Sequence, residues 1–149
     1  MEQDMISEMS RSERRAGVVV NYLCVLALVS LVHVGDVLNW DVRLRLVGIA
    51  GTGALGIVTF AKLYWRTRLW QLAHASFAKL DERQVQVMYE SLRRSYQIFA
   101  LLCLVVVYVN AVAQRGHVPI LVAGSILYGA HTLPAAVLAW TEKEVLVGR

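Results

Sequence analysis

Four stretches of this chain carry no charged side chain: 16–35, 46–61, 95–114 and 116–141. Nothing else in the sequence limits the fold so strongly. An apolar run of about 18 or more residues is long enough to cross the roughly 30 Å hydrocarbon core of a bilayer. Three runs pass that length, and the second is completed by Arg45 and Lys62 at its ends, whose long stems reach back to the headgroups. Inside lipid the backbone must satisfy its own N–H and C=O groups, so each run is expected to be a helix. The composition agrees, with 57% hydrophobic and 17% charged residues among 149, against roughly 45–50% and about 25% in soluble domains.

The expected fold is therefore all-α and polytopic: an antiparallel bundle of four transmembrane helices in a single membrane domain over 1–149. The spans fall at 16–34, 44–65, 98–114 and 118–140. An N-terminal segment 1–15 and a tail 141–149 flank them, and 66–97 forms a helical hairpin that extends spans two and three.

Gly51-Thr52-Gly53-Ala54-Leu55-Gly56 has the G-x-G-x-x-G spacing of a dinucleotide-binding turn. That turn needs a strand before it, a helix after it and an acidic residue about 20 positions on. Here the glycines lie within a helix-length apolar run, and no carboxylate follows until Asp81. Gly48, Thr52 and Gly56 instead recur every helical turn and share one face, where the lack of side chains lets another backbone approach. Ser125 and Gly129 repeat the pattern in the fourth span. The same faces serve equally for packing inside one molecule or between molecules.

Basic residues set the orientation. Arg11, Arg14 and Arg15 precede span one; Arg66, Arg68, Lys79, Arg83, Arg93 and Arg94 lie between spans two and three; Lys143 and Arg149 follow span four. The other side has only Arg43, Arg45 and Arg115. The positive-inside rule then puts both termini and the 66–97 connection in the cytoplasm, in the plasma (cytoplasmic) membrane. Trp40 marks the outer boundary, and Tyr64, Trp65, Tyr96 and Trp140 the inner one. The net charge of +4 is thus a topology signal rather than a nucleic-acid footprint. Span one is expected to remain as a helix, since no small-residue cleavage pattern follows it.

In the long connection, Leu69, Leu72, Ala73, Phe77 and Leu80 follow a helical period, as do Val85, Met88, Leu92, Tyr96 and Phe99. Asp81 with Gln84 has capping-box spacing. Span two is expected to run on past the membrane, turn near 79–81 and return as a helix continuous with span three. The alternative is a pair of amphipathic helices lying flat on the membrane.

Polar residues within the spans fall on stripes. His117, Gly124, Tyr128, His131 and Ala135 share a face of span four, and Tyr96, Cys103, Asn110 and Gln114 a face of span three. Asn21, Cys24 and Gly35 share one on span one, and Gly48, Thr52, Gly56 and Thr59 one on span two. A polar seam of Asn21, Cys24, Cys103, Asn110, Tyr128 and His131 follows as the candidate binding site, because polar groups in lipid turn toward protein. His131 sits in the turn weakened by Pro134 and is read as a satisfied interior imidazole, with a proton-relay or ligand role as the rival. The outer end carries His33, Asp36, Gln114 and His117, although His33 is turned away from the Asn21 face.

These residues separate the function classes. Cys24, Cys103 and His131 are too few for a closed zinc site, so no metal is expected. Two histidines at one level allow haem, but no cofactor is expected. No span contains a carboxylate, which disfavours an ion-coupled carrier. No nucleophile elbow or P-loop is present, so the sequence leans away from an enzyme without deciding the question. The leading expectation is a scaffold or accessory subunit whose partners are the lipid bilayer and either copies of itself or another membrane protein, with no nucleic acid. A permeation protein built on Asn21, Asn110, Tyr128 and His131 is the alternative, and a haem- or quinone-binding redox protein the third reading.

Overall fold

Helix starts in this protein are set by short polar side chains that take up the first free N–H groups of each helix. A computed structural model describes residues 9–76, 80–113 and 118–141. Ser10 caps α1 (Arg11–Val37) in a reciprocal box with Glu13. Asp41 caps α2 (Val42–Phe60) by accepting the Arg43 N–H at 2.7 Å. Asp81 caps α4 (Glu82–Val112) in a box with Gln84. The last two elements are α3 (Leu69–Ala73) and α5 (Ile120–Thr141). Among the described residues there is no strand, and four helices are long and apolar enough to cross a membrane: α1, α2 with the turn that follows it, α4 and α5.

Span three returns as expected, since α4 is one continuous helix from Glu82 into the apolar run. Span two departs from expectation. After Phe60 the backbone widens into a π turn, Ala61–Trp65, closed by the Arg66 N–H on the Ala61 carbonyl at 3.1 Å. A π turn advances less in angle per residue than an α-helix, and the consecutive residues Leu63 and Tyr64 are both fully buried. Thr67 then donates its hydroxyl to the Leu63 carbonyl, and Arg68 takes a left-handed conformation with φ 58°. The chain turns there, and α3 folds back against α5. Leu69 and Ala73 enter the core instead of extending a helix into water. The periodicity of Leu69, Leu72 and Ala73 marked a buried face correctly but could not show that the partner was α5. Residues 77–79, where the turn was expected, lie outside the described residues.

Interhelix packing runs in the order α2–α1–α5–α4. α2 and α4 make no extensive contact with each other among the described residues, so the contacts describe a row open between its outer members rather than a bundle closed on four sides. α2 buries no residue, and α4 buries only Met88, Ser91 and Ser95. Lipid tails are as apolar as leucine, so an apolar helix face loses little by remaining uncovered.

The core sits at one end, where α1 begins and α5 finishes, called here the terminal end. Val18, Leu63, Tyr64, Leu69 and Ala73 close around Ala135, Ala136, Leu138 and Ala139 of α5. The alanines let three elements approach the α5 backbone. A Cβ at Gly17 would come 3.2 Å from Leu63, so that approach is tight as well. Phe60 gathers Tyr64, Trp65, Trp70 and Tyr128 around it, with ring centroids 5.1–6.3 Å apart. The opposite, loop end is held by the α1–α2 turn. There Asn39 is left-handed at φ 50°, the Trp40 N–H reaches Gly35 O at 3.0 Å, and Asp36 pairs with Arg45. A Cβ at Gly35 would lie 2.8 Å from Arg45 Cδ, so the Arg45 side chain would have to shift to admit one.

Candidate functional site: a polar knot and the cleft beside it

Near the middle of the row, three helices are joined by side-chain hydrogen bonds. Asn21 on α1 is 1% exposed, and its Nδ2 donates to Gly56 O and to Thr59 Oγ1 on α2, both at 3.2 Å. Gly56 O can only accept, which fixes the amide orientation. Tyr128 on α5 donates its hydroxyl to Asn21 Oδ1 at 2.6 Å. One turn on, Thr132 donates to the Tyr128 carbonyl at 2.9 Å, which leaves the Tyr22 hydroxyl to donate to Thr132 Oγ1 at 2.9 Å. Thr59 donates within its own helix, to Leu55 O or Gly56 O. Each of these side chains therefore has its donors and acceptors matched inside the protein, as a low-dielectric interior requires. Deeper in the core, the buried Tyr64 hydroxyl makes no close hydrogen bond and lies near the Tyr22 hydroxyl.

Beside this knot lies a cleft of about 750 Å³ between α1, α2 and α5. Asn21, Cys24 and Tyr128 line it at the level of the knot. From there it extends past Val25, Leu28 and Val29 on α1, Gly53 and Ile57 on α2, and Ile120, Leu121, Gly124 and Ser125 on α5. Of the side chains on its lining that hydrogen-bond strongly, Asn21 is engaged with Gly56 and Tyr128, and Ser125 with Leu121 O at 2.8 Å; Cys24 is a free thiol. What it offers is apolar surface and bare backbone.

The sequence-derived seam separates accordingly. Asn21, Cys24 and Gly35 all lie on the buried side of α1, and Asn21 meets Tyr128 directly. His131 does not join them; its side of α5 is exposed, and Thr132 occupies the inner position. Residues three and four positions after Tyr128 flank its direction almost equally, so spacing alone cannot choose between His131 and Thr132. Asn110 bonds back to Val106 O of its own helix at 2.8 Å, and Cys103 is half-buried on α4. On α4 the inward face is Met88, Ser91 and Ser95, whereas Tyr96, placed on the expected stripe, points outward. Ser91 donates to Pro134 O at 2.7 Å and joins α4 to α5. Tyr22 and Thr132 were missed because each adjoins a residue already assigned to its helix's stripe, Asn21 and His131, and Ser91 because it precedes the expected third span.

The small-residue faces also separate. Gly48 and Gly56 pack inside the molecule: a Cβ there would sit 3.6 Å from Leu31 and from Cys24 of α1. Thr52 is half-buried on the same helix. Gly51, Gly53, Gly124 and Gly129 have nothing within 4 Å of a would-be Cβ. At the loop end His33 is exposed, and Asp36 is held by Arg45; Gln114 and His117 lie outside the described residues. Among the described residues no three His, Cys, Asp or Glu side chains gather closely enough to share a metal ion.

The helices and the cleft define an all-helical chain with four segments suited to membrane insertion and an internally satisfied polar knot. Compared with known proteins, it matches no protein-family model, no curated protein and no solved structure.

Proposed function

We propose that this chain is a small integral membrane protein acting as a scaffold or accessory subunit, packing through its open cleft with a transmembrane helix of a second copy or of another membrane protein. One observation carries the reading. The cleft walls expose backbone at Gly53 and Gly124 with no neighbour, while the polar residues beside them are engaged with one another. Close backbone approach at small residues is how helices associate in lipid. The distribution of basic residues supports an orientation with both termini and the 66–97 connection in the cytoplasm, in the plasma membrane.

The permeation reading draws less support. A path needs polar groups free to exchange with water or solute at successive depths. Asn21 and Tyr128 bond to each other, Asn110 bonds to its own helix and His131 is turned outward. A redox role through His33 or His131 lacks a shared pocket, since both are exposed.

Native mass spectrometry of the protein released from gently solubilised membranes tests the proposal. The expected result is a defined oligomer or a hetero-complex that Gly53→Leu and Gly124→Leu dissolve. A monomer whose mass and membrane neighbours are unaffected by filling the cleft would refute it.

A further inference from the structure

We propose that a second cleft, at the terminal end between α1, α4 and α5, binds the phosphate of an anionic membrane lipid. It has a volume of about 350 Å³ and is lined by Arg11 and Arg15 of α1, Glu90, Ser91 and Arg94 of α4, and Trp140 and Thr141 of α5. Among the described residues three guanidiniums and one carboxylate line it. That carboxylate approaches Arg94 only to 3.9 Å, with both groups about half exposed, so it leaves the site with a surplus of positive charge.

Two of the arginines are held in place. Arg15 donates Nε to the Trp140 carbonyl at 3.2 Å, and its guanidinium lies 5.0 Å from the centre of the Trp140 ring. Arg11 donates Nη2 to the Thr141 carbonyl at 3.3 Å. Capping these late α5 carbonyls explains part of the arrangement, because cations suit a helix C-terminus. It does not use up the donors. A guanidinium has five N–H groups in a fixed fork that matches phosphate oxygens. Arg11 Nε is buried and has no hydrogen-bond partner. The accessible donors are those of Arg94, whose Nη2 comes no nearer to Glu90 than 3.9 Å, and the remaining N–H groups of Arg11 and Arg15 on the cleft lining. Ser91 has already given its hydroxyl hydrogen to Pro134 O, so the arginines are the donors that matter.

The position of the cleft selects a lipid over a dissolved ion. In all three helices the uncharged run ends at this level: α1 after Arg15, α4 after Arg94 and α5 at Thr141. Headgroup phosphates occupy that boundary, and basic pockets between transmembrane helices are established headgroup sites. Toward the hydrocarbon, α4 exposes Ile98, Leu101 and Leu102, against which acyl chains would lie. The inference depends on membrane insertion and not on the scaffold role.

The test offers the full chain equal amounts of phosphatidylglycerol and phosphatidylcholine in mixed micelles and counts retained lipid by native mass spectrometry. Phosphatidylglycerol should be retained about tenfold more, the ratio that 1.4 kcal/mol of extra affinity produces. Arg15→Gln with Arg94→Gln should erase that preference, while Arg83→Gln, outside the cleft, should preserve it. Equal retention of the two lipids by the unaltered chain would overturn the proposal. So would displacement of phosphatidylglycerol by millimolar inorganic phosphate, which would assign the site to a free anion. A photoreactive phosphatidylglycerol needs no variant: its cross-links should fall on α1 and α4 around Arg15 and Arg94, and cross-links confined to other segments would exclude the cleft. Loss of all lipid would overturn the proposal together with membrane insertion, on which it rests.

Discussion

The terminal end and the loop end draw on the same apolar vocabulary and are packed in opposite ways. At the terminal end α1, the π turn and α3 converge on Ala135, Ala136 and Ala139 of α5, and Leu63 and Tyr64 are wholly enclosed. Toward the loop end α4 shows Leu104, Val105, Val107 and Tyr108 to its surroundings, and α2 shows Val42, Leu44, Leu46 and Val47. The contrast cannot come from hydrophobicity, which is high in both regions. It comes from where small residues, a π turn and matched hydroxyls let backbones close up, since in lipid close packing and hydrogen bonding drive association. One end is enclosed by its own helices, and the other leaves apolar surface uncovered.

The sharpest way to break this comparison is to cut the same side chain at each end. Leu63→Ala should lower stability by about 2–5 kcal/mol, as buried leucine truncations do. Leu104→Ala, at a residue 67% exposed, should change it by less than about 0.5 kcal/mol. Unfolding in mixed micelles with graded denaturing detergent measures both, and equal losses would mean that the two ends do not differ as described.

The knot that separates the two regions should give an intermediate effect. Asn21→Ala removes the donor to α2 and the acceptor for Tyr128 together, and about 1–2 kcal/mol is expected. Tyr128→Phe in the same background should add almost nothing, because the two residues share one hydrogen bond. Additive losses in that double-mutant cycle would show that the bond contributes little.

Glycines sharpen the comparison further. Gly56→Leu starts from a Cβ already in contact with Cys24 of α1 at 3.6 Å, and crowding of the α1–α2 contact should destabilise the monomer by about 1–3 kcal/mol. Gly53→Leu faces open space and should leave the monomer intact while weakening association. Thermal unfolding and native mass spectrometry on the pair read the two effects apart. If Gly53→Leu unfolded the chain and Gly56→Leu only separated its copies, inside and outside would be reversed.

The smallest effect is expected at the outward histidine. His131→Leu should alter stability by no more than about 0.5 kcal/mol and leave any solute flux in proteoliposomes unchanged. A large loss of either would restore the imidazole to a working role.

Much of the architecture was legible in the sequence because one-dimensional signals carry it. A charge-free run has a length, so four long helices could be counted, and Asp81 with Gln84 announced the start of α4. Asn21 could be singled out because an amide in an apolar run must find partners. Thr132 could not be preferred over His131, since both flank Tyr128 on the helix and only the position of α1 decides between them. Nor could α3 be placed: its apolar period says that it is covered, not by what.

The sequence by itself determined that this chain is helical, that four of its helices suit a bilayer, and that its few polar groups would have to satisfy one another. Periodicity and charge are properties of a single helix and need no neighbour. The tertiary structure alone decided that Gly48 and Gly56 face inward while Gly53 and Gly124 do not, that α2 breaks into a π turn at Ala61, and that α2 and α4 end up on opposite flanks of the row. Those outcomes depend on how backbones approach in three dimensions, and spacing along one strand of text leaves several such approaches equally open.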